Sequence, residues 1–286
     1  PFREFKPSSC CDCFHDAEFR AAALLRQAVV AQLTCRAQRV LTWRMEPTPE
    51  QRLQFIEQGY VVLDDALVGD DLVRLQTAFD RCAAESKAEW LDGVRKGRQP
   101  AGFLDIPSPF ERDDAFIDLI DHPSWYGLLM DFTDDQLILL APQVRVLPPS
   151  PISYVGWHPD VPHTNPLHIK VQIYVDDVAP DQGPFCFVPG SHKAGAGPYP
   201  RVRHLASMPG HKIFPGKAGT AILFNSYGWH TSMVNSTDTP RKSIILIYEK
   251  WTDGRVNADR YTSIRDRLQT PERQRLFSLI PTVGGQ

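Results

Sequence analysis

From residue 135 to residue 251 the chain is divided into short segments rich in β-forming residues, separated by proline and glycine. The segments are "DQLILLAPQVRVL", "SYVGWH", "HIKVQIYVDD", "PFCFVPGSH", "GTAILFN" and "RKSIILIYEKW". Within "HIKVQIYV", polar and apolar residues alternate, so His168, Lys170, Gln172 and Tyr174 share one face. Many short strands at regular spacing are typical of a β-sandwich or barrel. We therefore predict a mainly β fold in this part of the chain.

Helical patterns precede the β-rich part. In "TPEQRLQFIEQG", Thr48 and Gln51 have the spacing of a capping box, and Gly59 is a typical residue to follow a helix end. From residue 70 to about residue 90, apolar residues recur at helical spacing. We predict a single domain over residues 45–286, with helices packed against a β-barrel.

Residues 1–44 differ in composition from the rest of the chain. They are rich in Ala and Arg and favour a helix by propensity, so we predict an N-terminal extension of uncertain role. The segment also holds "CCDCFH", and a zinc site is the alternative to cysteines without a structural role. The candidate zinc ligands would be Cys10, Cys13, His15 and Cys35.

Composition limits the function classes that fit. The net charge is -3, so no basic field favours nucleic acid or an anionic membrane as partner. The longest apolar runs are far too short to cross a bilayer. Six cysteines in 286 residues, without a recognisable export signal, are typical of reduced thiols. We predict a soluble cytoplasmic protein with a small-molecule partner, and no oligomeric state follows from these patterns.

The stretch "VGWHPDVPH" at 155–163 places a histidine and an aspartate two residues apart. Side chains two apart on a strand project to the same face, so one small ion could contact both His158 and Asp160. Pro159 cannot donate to a sheet ladder, which places the pair at a strand end or edge. The alternative is a surface ion pair.

A third metal ligand is predicted in "LFNSYGWHTSMVN", where His230 follows a strand and a turn of small residues. Two histidines and one carboxylate on one face of a metal are the ligands of non-heme Fe(II) oxygenases. The same set also suits catalytic zinc, which leaves a hydrolase or isomerase on a cupin-like barrel as an alternative.

Arg241 opens the apolar strand "RKSIILIYE", eleven residues after His230. If this strand lies beside the strand that precedes His230, the guanidinium points into the barrel. There it could bind a carboxylate through two parallel hydrogen bonds. Ser232 could add a hydroxyl donor. A guanidinium and a hydroxyl placed in this way are what is needed to anchor the distal carboxylate of 2-oxoglutarate.

Four pieces of sequence in this order resemble the phytanoyl-CoA dioxygenase family of Fe(II)- and 2-oxoglutarate-dependent oxygenases. They are "WHPD" (157–160), "GPFCFVPGSHK" (183–193), "FPGKAGTAILFNSYGWHTSMVNST" (214–237) and Arg241. The similarity covers roughly residues 48–250. The resemblance implies a double-stranded β-helix, which is a jelly-roll and cupin-like barrel. The chain departs from the family at Pro159, where members often carry Gln, and in the following "VPHTNPLH".

The resemblance also implies residue roles and a reaction. His158, Asp160 and His230 would bind Fe(II), and Arg241 with Ser232 would hold 2-oxoglutarate. The reaction would be hydroxylation of an unactivated C–H bond with O2 as co-substrate, releasing succinate and CO2, with ascorbate as a possible reductant. Related halogenases carry a small residue at the aspartate position, so Asp160 favours hydroxylation.

Further candidates are assigned from their positions. Gln143 and Gln172 on inner strands would hydrogen-bond the co-substrate, or else be ordinary buried amides. A mixture of aromatic and charged side chains favours a small polar metabolite as substrate. Those candidates are Phe103, Asp105, Tyr154, Trp157, His163 and Lys170. A barrel that binds a small molecule without catalysis is the alternative from another class.

Overall fold

The computed structural model describes residues 45–150, 156–200, 207–252, 256–257 and 259–281. The predicted extension 1–44 and its possible zinc ligands lie outside the described residues. The division of the chain at residue 45 therefore stays a prediction.

Helices lie before and after the β-rich part. The first is capped as predicted: Thr48 Oγ1 accepts from the Gln51 amide, Gln51 Oε1 accepts from the Thr48 amide, and Gly59 is left-handed with φ 85°. The bounds are α1 (Pro49–Gln58), α2 (Gly69–Arg95), α3 (Pro109–Arg112), α4 (Asp114–Ile117), α5 (Pro123–Phe132) and α6 (Pro271–Leu276), with a 3₁₀ helix at Thr262–Arg267.

The strands form two antiparallel sheets. Their bounds are β1 (Tyr60–Leu63), β2 (Leu104–Asp105), β3 (Leu137–Leu147), β4 (His168–Tyr174), β5 (Phe185–Phe187), β6 (Lys212–Phe214), β7 (Ala221–Asn225), β8 (His230–Ser232) and β9 (Arg241–Lys250). The large sheet has the order β1-β7-β4-β9-β3-β2, and the small sheet has the order β6-β5-β8. The strand order is that of a jelly roll, so the predicted fold class is confirmed.

The two faces of the large sheet have different roles. On β4, Ile169, Val171 and Ile173 join the main core with the helices, among them Phe79 of α2 and Trp125 of α5. The other face of the sheet meets the small sheet through a second apolar cluster that includes Tyr174, Phe185 and Phe224. Because β4 is central and covered on both faces, every one of its residues is buried. Polar side chains on its inner face are therefore held inside the barrel.

Three features of the fold differ from the sequence predictions. The strand that Arg241 opens, β9, does not lie beside β7, the strand that precedes His230, because β4 stands between them in the large sheet. Helix α2 extends to Arg95, beyond the predicted end near residue 90. The short strand β6, in "HKIF", has no clear alternation, and its existence depends on pairing with β5. Among the helices of the described residues, none combines the length and the apolar character needed to cross a bilayer.

Candidate active site

His158 and His230 are joined by their backbones. The two residues form an isolated antiparallel bridge, in which the His158 amide donates to the His230 carbonyl at 3.2 Å and the His230 amide donates back at 3.1 Å. Their ring centroids lie 4.6 Å apart. The bridge places two imidazoles side by side at the start of β8.

In each ring, a hydrogen bond between Nδ1 and the backbone carbonyl two residues earlier fixes the tautomer. His230 Nδ1 lies 2.9 Å from the Gly228 carbonyl oxygen, and His158 Nδ1 bonds the Gly156 carbonyl oxygen. Because a carbonyl only accepts, each Nδ1 carries the proton, and each Nε2 of a neutral ring presents a lone pair. This is the orientation in which imidazole binds metals.

Asp160 faces both Nε2 atoms. Its amide donates to the Ser226 carbonyl at 2.9 Å, which holds the loop after His158 against the turn that follows β7. Asp160 Oδ2 lies 3.3 Å from His230 Nε2, and Oδ1 lies 3.7 Å from His158 Nε2. One ligand atom from each residue lies within 4.8 Å of the others, so the three residues could hold a metal ion.

The charges at these residues suit a cation. His230 packs against the rings of Phe224 and Phe185, and burial lowers its pKa to about 4, so the ring is neutral near pH 7. Burial alone would raise the pKa of Asp160, but neighbouring His230, His158 and Lys170 hold it well below its usual range. The Lys170 ammonium, which is bonded to Asp160 Oδ1, remains a cation beside this carboxylate when the His230 ring is neutral. A carboxylate oxygen then faces imidazole lone pairs, an arrangement that a cation between them would stabilise.

Arg241 is a buried cation without a carboxylate. Its side chain is among the largest fully buried ones, and burial lowers its pKa to about 10, which leaves it charged near pH 7. Nη1 donates to Ser232 Oγ at 2.9 Å and to the Gly183 carbonyl, while Nε has no hydrogen-bond partner. Among the ion pairs of the described residues, none includes Arg241. A buried unpaired guanidinium is costly, so the site suits an anionic ligand.

One cavity of about 150 Å³ is lined by both groups of residues, the His158, Asp160 and His230 cluster and the Arg241 and Ser232 pair. Ser232 lies two residues beyond His230 on β8, which corresponds to about 7 Å along the strand. The cavity therefore lies between the two sheets and can hold a small ligand that contacts both groups.

The two predicted glutamines also line this cavity. Gln143 on β3 and Gln172 on β4 are each paired in register with Ile245 of β9, so the three side chains form one row across the sheet. Gln172 Nε2 is buried and has no hydrogen-bond partner. A donor without an acceptor inside a polar cavity is consistent with a bound ligand rather than an ordinary buried amide.

Two of the predicted substrate residues, Phe103 and Lys170, line the cavity, and Tyr154 lies outside the described residues. Asp105 does not line it, because its carboxylate is bonded to Arg145 at 2.6 and 2.7 Å across the β2 and β3 pair. The side chain of Asp105 is oriented toward this arginine instead.

Trp157 and His163, which are also predicted substrate residues, are not among the residues that line this cavity. Trp157 is only 1% exposed and belongs to a separate apolar cluster with Cys186 and Met208, because adjacent strand residues point to opposite faces and His158 points inward. His163 Nε2 bonds the His192 carbonyl at 2.7 Å. A contact of either residue with the substrate stays a prediction.

Sequence reasoning missed Arg145 as a cavity residue. Its guanidinium lies 3.9 Å from the centre of the Phe103 ring and pairs with Asp105. The signal was present, because Arg145 follows Gln143 by two residues on a strand and so shares its inward face. Nη1 is not used in the Asp105 pair, which engages Nε and Nη2.

The family match and the curated relatives, together with this site, define the class of enzyme as the 2-oxoglutarate-dependent non-heme iron dioxygenases, which use Fe(II) as cofactor and 2-oxoglutarate as co-substrate. The family model described as phytanoyl-CoA dioxygenase matches residues 55–243. The chain belongs to the phytanoyl-CoA dioxygenase family.

Two curated relatives match most of the chain. An ectoine dioxygenase of Nocardia farcinica is 25% identical over 300 residues, which cover 87% of this chain and 100% of that protein. An L-proline trans-4-hydroxylase of Streptomyces griseoviridis is 22% identical over 261 residues, which cover 79% of this chain and 95% of that protein.

Among solved structures, HygX of Streptomyces hygroscopicus with nickel and 2-oxoglutarate bound is similar in fold. The TM-score is 0.56 at 18% identity, with 77% of this chain and 94% of that chain covered. A structure of HygX with iron bound gives a TM-score of 0.55 at 17% identity over the same shares. At this identity the likeness supports the fold.

Proposed function

We propose that this enzyme hydroxylates an unactivated C–H bond of a small polar metabolite, with Fe(II) held by His158, Asp160 and His230 and 2-oxoglutarate anchored by Arg241 and Ser232. The observation that supports the proposal is that three side chains able to hold a metal ion and a buried arginine without a carboxylate partner among the described residues line the same small cavity. The relatives act on small metabolites, as the names ectoine dioxygenase and L-proline trans-4-hydroxylase state.

The histidines and the aspartate would hold the metal through atoms that are already in place. The Nδ1 hydrogen bonds to backbone carbonyls keep each Nε2 turned toward Asp160. Asp160 Oδ2 is buried and lacks a hydrogen-bond partner, so it remains open to a cation. The residues present therefore fit Fe(II).

Arg241 would supply the charge that fixes 2-oxoglutarate. Nη1 is held by Ser232 and the Gly183 carbonyl, which orients the guanidinium and leaves Nε as an unused donor. A carboxylate at this point would give Arg241 the counter-charge that it lacks among the described residues. Gln143 and Gln172 would add amide hydrogen bonds to the same molecule.

When bound, iron together with 2-oxoglutarate and O2 supplies the oxidising power, and the balance is substrate, 2-oxoglutarate and O2 giving hydroxylated substrate, succinate and CO2. The residues of this chain bind, orient and shield. Phe224 and Phe185 around His230 keep water from that side of the metal site. Phe103 and Arg145, which also line the cavity, would contact the substrate.

We also propose that the enzyme works in the cytoplasm. Cys82 and Cys186 are buried free thiols in the described part of the chain. Reduced cysteines are the usual state in a reducing compartment. Purification under native, non-reducing conditions followed by thiol counting tests whether both remain reduced.

The test of the proposed function is an anaerobic titration of the metal-free protein with Fe(II) and then 2-oxoglutarate, observed through the visible charge-transfer band of the chelate. Admission of O2 with ectoine, L-proline or other small metabolites is then followed by succinate formation and mass spectrometry. A band and a substrate gain of one oxygen atom support the proposal. A folded, metal-loaded protein with no band contradicts it and favours a zinc enzyme or a binding barrel.

A further inference from the structure

Lys170 occupies a position where a lysine is costly. It lies on the central strand β4, between Phe224 of β7 and Ile247 of β9 in register, and its side chain is only 9% exposed. Lysine is almost never buried to this extent unless it is paired. The free energy needed to bury this ammonium indicates that its partner matters to the site.

The partner is one oxygen of Asp160. Lys170 Nζ donates to Oδ1 at 2.6 Å, which is the length of a strong charge-assisted hydrogen bond. The other oxygen, Oδ2, is buried, has no hydrogen-bond partner and lies 3.3 Å from His230 Nε2. The two oxygens of one carboxylate therefore stand in different surroundings.

We propose that Lys170 is a positioning residue, which holds Oδ1 of Asp160 and leaves Oδ2 as the oxygen presented to the metal. The inference rests on the proposed metal site. A carboxylate with both oxygens free can rotate or take two coordination positions on a metal. Lys170 removes that freedom and keeps positions open for 2-oxoglutarate and O2. This assigns Lys170 to the metal site, where the sequence had suggested a substrate contact.

The experiment compares Lys170→Met with wild type, and Lys242→Met is the matched control. Lys242 is also partly buried and bonded to two carboxylates, at 2.6 Å from Asp80 and 3.0 Å from Asp176, but it does not line the cavity. Fe(II) affinity of the metal-free protein and the wavelength of the 2-oxoglutarate chelate band are measured anaerobically.

For Lys170→Met we expect the dissociation constant for Fe(II) to rise by about 10- to 100-fold, as found when groups that orient metal ligands are removed, and the chelate band to move. Lys242→Met should leave both unchanged. Lys170→Gln, which removes the charge but keeps a polar side chain, is measured alongside and replaces Lys170→Met if that variant does not fold.

An Fe(II) affinity and a band identical to wild type in either neutral variant would overturn the positioning role while leaving the proposed function intact. Tighter Fe(II) binding would overturn it too, because Lys170 would then act only by repelling the metal. Absence of the band in wild type itself would overturn the proposed function instead.

Discussion

His158 and His230 donate their backbone amides to each other's carbonyls, at 3.2 and 3.1 Å, and each ring is turned by a bond from Nδ1 to the carbonyl two residues earlier. Backbone hydrogen bonds therefore orient both imidazoles, and the rings of Phe224 and Phe185 pack against that of His230.

Replacement of His230 by Ala should abolish tight metal binding. We expect the dissociation constant for Fe(II) to rise by more than about 100-fold, because one of three ligands is lost. Thermal unfolding with and without Fe(II) checks this: the stabilisation by metal seen in wild type should disappear. His122→Asn, which changes a helix-capping histidine, should keep the metal effect. A His230→Ala variant that Fe(II) stabilises as it does wild type would contradict the ligand assignment.

Arg241→Met should weaken 2-oxoglutarate binding by about 30-fold or more, since losing one partner of a buried charge pair costs at least about 2 kcal/mol. Titration of the Fe(II)-loaded variant through the chelate band measures it. Ser232→Ala removes only the hydrogen bond that orients Nη1, so the loss should be about fivefold. Equal affinities in wild type and Arg241→Met would place the 2-oxoglutarate carboxylate elsewhere.

The stability of the metal-free protein should fall as the pH drops from about 6.5 to about 4. Burial lowers the pKa of His230 from its ordinary value of about 6.5 to about 4 in the folded state. Between these values the unfolded chain binds a proton that the folded chain does not, so acid favours unfolding.

At about pH 5 the effect of His230 amounts to about 2 kcal/mol relative to pH 7, at 1.36 kcal/mol per pH unit. Urea unfolding with a chelator present, at both pH values, measures it. His230→Gln should show a pH dependence smaller by that amount. The prediction fails if the two proteins lose the same free energy of unfolding on acidification.

Gly219→Ala should destabilise the protein by more than about 2 kcal/mol. Alanine is strained in the left-handed conformation of this residue, and its Cβ would also clash with a backbone atom. Gly219 has φ 84°, and a Cβ there would overlap the Leu67 carbonyl oxygen. Gly69, with φ 59° and open space around it, is the control: Gly69→Ala should cost only about 1 kcal/mol. Similar unfolding midpoints for the two variants would contradict the close approach.

The strands and the ligand cluster could be predicted because they depend on local rules. The alternation in β4 and the shared direction of His158 and Asp160 follow from the pleat of a strand. The helix cap at Thr48 follows from the spacing of Thr48 and Gln51. The family resemblance, now confirmed, added the ordered combination of motifs.

The substrate side could not be predicted because it depends on contacts between distant segments. Asp105 has the side chain of a pocket residue, but the β2 and β3 register pairs it with Arg145. Trp157 has the ring of a substrate platform, but the residue next to it takes the inward direction. Lys170 is predicted from the sequence as a substrate residue, whereas the fold pairs its ammonium with Asp160.

The polar groups of the cavity are divided between two layers, with His230 and Ser232 on the small sheet and Lys170 and Arg241 on the large one. Iron held by His230 and 2-oxoglutarate held by Arg241 would therefore link the small sheet to the large sheet. Amide hydrogen exchange in the small sheet should slow when both are loaded. Since turnover converts 2-oxoglutarate to succinate, this link between the two sheets would be lost once in every catalytic cycle, at the stage when the product has to leave.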